Sequence, residues 1–233
     1  MADRPIIFSA PMVRALLEGR KTQTRRQVHK LFRSDYDLTI AKDRRGRNCY
    51  AGTNPHGVHW IHDDAPFFPY APGDRLYVRE GGELLHEAYD WNGEDRWRVA
   101  GWRYADGTLK EFQDLMTPLH EWVGDCSAQK RPSIHMPRWA SRLTLHVTDV
   151  RVQRLQEISE EDARAEGALP DGFEGYRGHE GTIGYPTAIW AFRHIWSDIH
   201  GPDAWDANPW VAAITFDVKR GNIDTPSNPD EVV

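Results

Sequence analysis

LTLHVTDVRVQRLQEISEEDARAEG, Leu143–Gly167, runs a strand into a short helix, and its reading decides the kind of fold the chain can adopt. Leu143, Leu145 and Val147 alternate, and so do Val150 and Val152, but in the opposite phase. Side chains in a strand repeat every two residues, so the flip at Thr148-Asp149 implies a bulge or a tight turn. Ser159 with Asp162 three residues on resembles a capping box opening a helix over Glu160–Glu166, and Gly167 stops it.

The flanks follow the same irregular rhythm. Pro5–Phe8 suits a strand, and Ser9 then caps a helix with Pro11 in its first turn. Val13, Leu16 and Leu17 give that helix an apolar face, and Gly19 ends it. Arg75–Arg79 alternates as a strand after the turn at Gly73-Asp74. Past Gly167 comes a glycine-rich stretch, Gly172–Gly184, which fits a lid or a plain linker. Thr187 caps a helix carrying Ile189, Phe192, Trp196 and Ile199, stopped by Gly201-Pro202. Trp210, Ala212, Ile214, Phe216 and Val218 alternate as a last strand, and the polar tail over 221–233 is expected to fray. Lys30–Pro72 and Gly81–Pro132 show weak periodicity and read as irregular segments. Trp91, Trp97, Trp102 and Trp122 are expected to pack the second of these onto the core. Strands and short helices without regular βαβ spacing predict an α+β domain around a small β-barrel.

Composition narrows the functions. The 233 residues are 39% hydrophobic and 27% charged, with a formal net charge of −6. That charge argues against a surface devoted to nucleic acid, so contact with RNA would need a local basic patch. Cys49 and Cys126 make no disulfide framework and read as free thiols. No apolar run approaches the roughly 20 residues that span a bilayer. The N-terminal MADRPIIFSAP carries an acid and lacks a long apolar core, so a signal peptide is not expected there. A soluble, cytoplasmic protein without membrane contact is expected.

Chemistry concentrates in GRKTQTRR, Gly19–Arg26. A threonine hydroxyl needs a base to become a nucleophile, and a lysine that is desolvated or set beside other cations can be that base. Lys21 and Thr24 fit these roles, with Arg20, Arg25 and Arg26 as cationic neighbours. On the residues alone, a solvated basic turn after a helix is the plainer reading. Residues three apart leave an extended strand on opposite faces, so a shared site needs a bend. Glu166 closes its helix where a carboxylate opposes the dipole, at a cost of about 0.3–1 kcal/mol. That position raises its pKa and suits proton transfer, although an exposed glutamate of no consequence reads as well.

Other groups are weaker. His56, His59 and His62 in HGVHWIH lack a helix and a fourth ligand at metal spacing, so no metal is expected. RPSIHMPRWASR, Arg131–Arg142, interleaves bases with His135 and Trp139; it suits base stacking or a proline-bounded loop over a core tryptophan.

Taken together, PIIFSAPMVRALLEGRKTQTRR, GDRLYVRE, the block Arg131–Gly167 and NPWVAAITF resemble an ASCH-domain protein of the phage-associated type. The resemblance implies a small PUA-like β-barrel, a single domain over 1–220 with insertions at about 30–70 and 82–130, and a flexible tail over 221–233. This sequence departs from the pattern after Glu80, where Gly81-Gly82 replaces a polar–aromatic pair.

Within that superfamily, GRKTQTRR followed by a helix ending in glutamate is similar to the bacterial N(4)-acetylcytidine amidohydrolases. Their lysine, threonine and glutamate fall on Lys21, Thr24 and Glu166. The resemblance implies hydrolysis, without metal or cofactor, of the acyl amide on the exocyclic amine of N(4)-acylated cytidine or cytosine. Thr24 would attack, Lys21 would take its proton, and Glu166 would protonate the leaving amine or order the lysine. Arg26 is a candidate for the oxyanion. Trp139, then Tyr77, are candidates to stack on the base, with Arg138 beside them. Two alternatives stand: an RNA-binding module whose Arg20, Arg25, Arg26 and Arg138 hold phosphates, and an endoribonuclease using His135 or His29.

Overall fold

Each helix begins and ends at its own sequence signal. In the computed structural model, α1 spans Ala10–Leu17, α2 Glu160–Ala165 and α3 Ala188–His200. The residues described are 2–28, 37–42, 48–53, 56, 59–60, 69–112, 127–171, 175–177 and 184–225. Ser159 Oγ accepts from the Asp162 amide at the start of α2, and Thr187 Oγ1 accepts from the Trp190 amide at the start of α3. The buried face of α3 is Ala188, Ala191, Phe192, Ile195 and Trp196. Ile199, expected on it, is 62% exposed, because the burying stripe passes through Ile195.

The strands in chain order are β1 (Asp3–Ile7), β2 (Gln23–Gln27), β3 (Asp37–Lys42), β4 (Asn48–Thr53) and β5 (His59–Trp60). There follow β6 (Arg75–Arg79), β7 (Gly82–Trp91), β8 (Glu94–Tyr104), β9 (Leu109–Glu111) and β10 (Ser127–Arg131). The series ends with β11 (Leu143–Arg154), β12 (Leu169–Asp171), β13 (Gly175–Arg177) and β14 (Trp210–Arg220). Strands dominate and helices are few, an α+β chain. No helix among the described residues is long and apolar enough to cross a membrane. β11 runs unbroken through Thr148-Asp149, where a turn was one of two expectations. The phase flip survives as two consecutive exposed residues there.

The chain divides into two compact units, and β11 and β14 contribute residues to both. The first holds residues 1–2, 15–74 and 146–218. In it β2 pairs antiparallel with β14, Thr24 opposite Ile214 and Arg25 opposite Ala213. β3, β4 and β5 form an antiparallel sheet where an irregular segment was expected. Within the expected lid, Gly175–Arg177 pairs with Leu169–Asp171 as a hairpin. Its apolar interior comprises Leu155, Ile158, Ala163, Phe192, Trp196 and Val211, with a second cluster of Val28, Leu38, Tyr50 and Ala212.

The second unit holds residues 3–14, 75–145 and 219–233. In it β1 runs parallel to β6, and β10-β7-β8-β9 form an antiparallel sheet across the second expected irregular segment. Trp102 is fully buried there with Tyr104, Met136 and Ala140, whereas Trp97 is exposed; Trp122 and Cys126 lie outside the described residues. The first tail residues are tied down. Gly221 N–H donates to Arg142 O, the Asn222 amide donates to three carbonyls between Arg138 and Ser141, and Ile223 is buried.

The expected barrel is not seen: among the described residues every sheet is open. β2 is an edge strand, and the chain leading into it is covered by the end of α2, with Thr22 N–H donating to Ala165 O at 2.9 Å.

Candidate active site

Gly19, at φ +72°, lets the chain reverse after α1. The amides of Arg20 and Lys21 then both donate to Ala15 O, at 3.0 and 3.1 Å. Lys21 forms an isolated antiparallel bridge with Glu166, and Phe216 N–H donates to Thr22 O on the other side. The lysine backbone is therefore held between the end of α2 and β14.

Three acidic residues, Glu160, Glu161 and Asp162, fill the first turn of α2, where the helix dipole favours them. Glu166 is its C-cap residue. Gly167 follows at φ +100°, and a β-carbon there would lie 3.1 Å from Ala15 Cβ and 3.4 Å from Lys21 Cβ. Backbone sign and crowding both require glycine, which brings the Glu166 turn against Lys21.

The side chains complete the contact. Lys21 Nζ donates to Glu166 Oε2 and to Glu166 O, each at 2.8 Å. Arg25 donates through Nη1 to Glu166 Oε1 at 3.0 Å and through Nη2 to Asp162 Oδ2 at 2.7 Å. Gln23 Oε1 accepts from Arg25 Nη1 at 2.6 Å, and Arg151 donates to Asp162. Lys21 is 1% exposed, Arg25 and Glu166 4% each. Two cations and two carboxylates thus share one largely dry cluster. Removing one member would strand a buried charge, the costly way to break such a pair.

Burial drives the Lys21 pKa below its ordinary value. Glu166 pulls the other way, and the neighbouring guanidinium groups of Arg26 and Arg25 add to the depression. A buried lysine of lowered pKa is what a general base requires. Burial likewise lowers Arg26, against the opposing pull of Tyr70 and Glu166. Burial raises Asp162, but Arg25 and Arg151 outweigh it and hold the carboxyl below its usual range.

Lys21 and Glu166, 145 residues apart in sequence, are thus brought together. Thr24 is buried on β2, but successive strand residues face opposite ways, so Thr24 and Arg26 leave the face that carries Gln23 and Arg25. The Thr24 hydroxyl makes no hydrogen bond among the described residues, and the Lys21 ammonium donates twice to Glu166. Gln23 and Asp162 are not singled out by the sequence as site residues, and Arg25 stands there only as a cationic neighbour or a phosphate holder. The signals were present: Lys21, Gln23 and Arg25 repeat at the strand period, and Asp162 and Glu166 stand one helical turn apart.

The expected substrate residues of the second unit are committed to neighbours there. Tyr77 is buried, with the guanidinium groups of Arg79 and Arg138 at 5.4 and 5.3 Å from its ring centre. Arg138 is held by Asp3 and Asp224. Trp139 lies edge-on to Phe112 at 5.1 Å and packs on the Trp102 cluster. Trp139 sits in the short 3₁₀ turn Arg138–Ala140 and is partly buried, so part of the ring expected to stack on a base is engaged in packing. His135 and His56 are exposed, whereas His29 and His62 lie outside the described residues. Compared with known proteins, the chain matches no family model, no curated protein and no solved structure.

Proposed function

We propose that the chain is an amide hydrolase that removes the acyl group from the exocyclic amine of N(4)-acylated cytidine or cytosine. The observation that carries this reading is the buried Lys21–Glu166 pair, its carboxylate held from the other side by Arg25. A solvated basic turn would leave Lys21 in water; this one is desolvated and partnered. The Lys-Thr-Glu set of the amidohydrolases, carried onto Lys21, Thr24 and Glu166, supplies the chemistry. The reading includes the ASCH-like, PUA-related architecture over 1–220 and work on a small nucleoside in the cytoplasm.

In this mechanism neutral Lys21 accepts the Thr24 hydroxyl proton as the oxygen adds to the acyl carbon. The tetrahedral intermediate collapses to an acyl-threonine ester, and the amine leaves with the proton returned from Lys21. Water, deprotonated by the same lysine, cleaves the ester and regenerates Thr24. Glu166 keeps the lysine aimed and stabilises its charged form, and Arg25 holds the other oxygen of that carboxylate in place. Arg26, which leaves β2 on the same face as Thr24, would stabilise the oxyanion. Thr24 and Arg25 leave β2 on opposite faces, and Lys21 shares the Arg25 side, so the reaction requires the lysine amine to be brought round to the Thr24 side of the strand.

The test is an ultraviolet assay with N(4)-acetylcytidine. Turnover that survives chelator, is lost in Thr24→Ala, and leaves an acyl adduct on Thr24 in a rapid-quench mass spectrum is the expected result. A folded wild-type protein with no turnover sinks the proposal.

A further inference from the structure

The second unit contains a cleft of about 800 Å³ that the Lys21–Glu166 cluster does not use. We infer that it binds an organic phosphate of nucleotide size, with the phosphate at Lys130 and Arg131 and the apolar body against Phe8, Ala10 and Pro132.

Strand register sets out the charges. Lys130, Glu83 and Arg103 stand opposite one another across β10, β7 and β8, and Arg131 and Gly82 stand in the next row. All five line the cleft. Arg103 is taken by Glu83 at 2.8 Å. Lys130 has no ion pair among the described residues, and Arg131 donates only to the neutral Gln129 amide. Three cations and one carboxylate thus line the cleft, with Arg131 at the end of its strand. Adjacent uncommitted cations at the mouth of a largely apolar recess suit a phosphate monoester on a flat organic body. The start of α1, at Ser9 and Ala10, opens onto the same space with no acidic residue in its first turn, which favours an anion there.

The space exists because of Gly81-Gly82. A β-carbon on Gly82 would come within 2.4 Å of Arg103 O and 2.5 Å of Trp102 Nε1, so that position must be glycine to seat the buried indole. Gly81 is different: a β-carbon there would meet only Arg131 O, at 3.9 Å. A side chain fits at 81, and its absence leaves the cleft open.

That difference supplies the test. Calorimetric titration of the full chain with cytidine 5′-monophosphate, adenosine 5′-monophosphate, cytidine and inorganic phosphate is compared across variants. Both nucleotides should bind, and cytidine should bind at least about tenfold more weakly than its monophosphate for want of the charge-assisted bonds. Lys130→Gln with Arg131→Gln should weaken the nucleotides by at least about tenfold. Gly81→Phe should abolish nucleotide binding with an unchanged melting temperature. Glu166→Gln, in the other unit, should leave it intact, which separates this cleft from the amidohydrolase site. Unchanged affinity in the Lys130/Arg131 and Gly81 variants, nucleoside binding equal to nucleotide binding, or no binding of either nucleotide overturns the inference.

Discussion

Lys21 and Arg25 hold the two oxygens of one carboxylate, Nζ at 2.8 Å from Glu166 Oε2 and Nη1 at 3.0 Å from Oε1. Their side chains leave the chain four residues apart and converge because both point to the same side of the Lys21–Arg25 segment. Glu166 therefore cannot swing toward either cation without losing the other. The arrangement fixes the direction of the Lys21 side chain at its amine end.

Arg25→Met should be among the most damaging single changes. It leaves Arg151 as the cation paired with Asp162 and Lys21 as the cation paired with Glu166, in a largely buried cluster. Stranding part of a buried charge network costs about 3–5 kcal/mol. Urea unfolding should show a loss of that order, and Arg25→Lys should recover only part, since an ammonium cannot span both carboxylates. A loss below about 1 kcal/mol, the range of a surface pair, would contradict the network.

Gly167→Ala should be destabilising by about 1–3 kcal/mol, from a left-handed conformation unsuited to alanine. The new methyl would also press on Ala15 and Lys21. If the proposed chemistry holds, kcat should fall more than KM rises, because the displaced group is the base and not a substrate contact. Thermal melts and steady-state kinetics measure the two effects separately.

Much of the core was legible in the sequence. The strands around Leu145 and Ile214 and the α3 stripe announce themselves because burial on one face writes a clean period. The sheet β10-β7-β8-β9 was not legible, because glutamate, arginine and histidine occupy both faces of half-buried strands and blur the alternation. One signal went unread: Asn92-Gly93, at φ +58° and +82°, is the two-residue turn joining β7 to β8. In the site, Lys21 and Glu166 stand out singly by their chemistry, and the resemblance is what joins them, since no local period links residues so far apart. Arg25 and Asp162 stayed hidden because a run of arginines reads as a solvated face until a buried carboxylate is known to stand opposite.

Trp139→Ala should report packing. The ring rests on Phe112 and the Trp102 cluster, and truncating a half-buried tryptophan should cost about 2 kcal/mol, below the 3–5 of a fully buried one. The expected result is a lower melting temperature with KM for N(4)-acetylcytidine unchanged. A raised KM at an unchanged melting temperature would restore the stacking role.

The last prediction concerns pH. Burial, above all, lowers the Lys21 pKa below 10.5, its value in the unfolded chain. Below the folded-state pKa the lysine is protonated in both states, and above 10.5 it is neutral in both. Between the two the unfolded chain binds the extra proton, so this group makes stability rise with pH across that window. Lys21→Met has no such proton. The difference in unfolding free energy between wild type and Lys21→Met, measured in urea at steps from pH 7 to 10.5, should therefore shift in favour of the wild type as pH rises. The same proton governs catalysis if Lys21 is the base: kcat/KM should climb with pH along a single limb whose midpoint lies below 10.5. Parallel stability curves for the two proteins would mean that Glu166 holds Lys21 charged throughout, and the lysine could not then serve as the base.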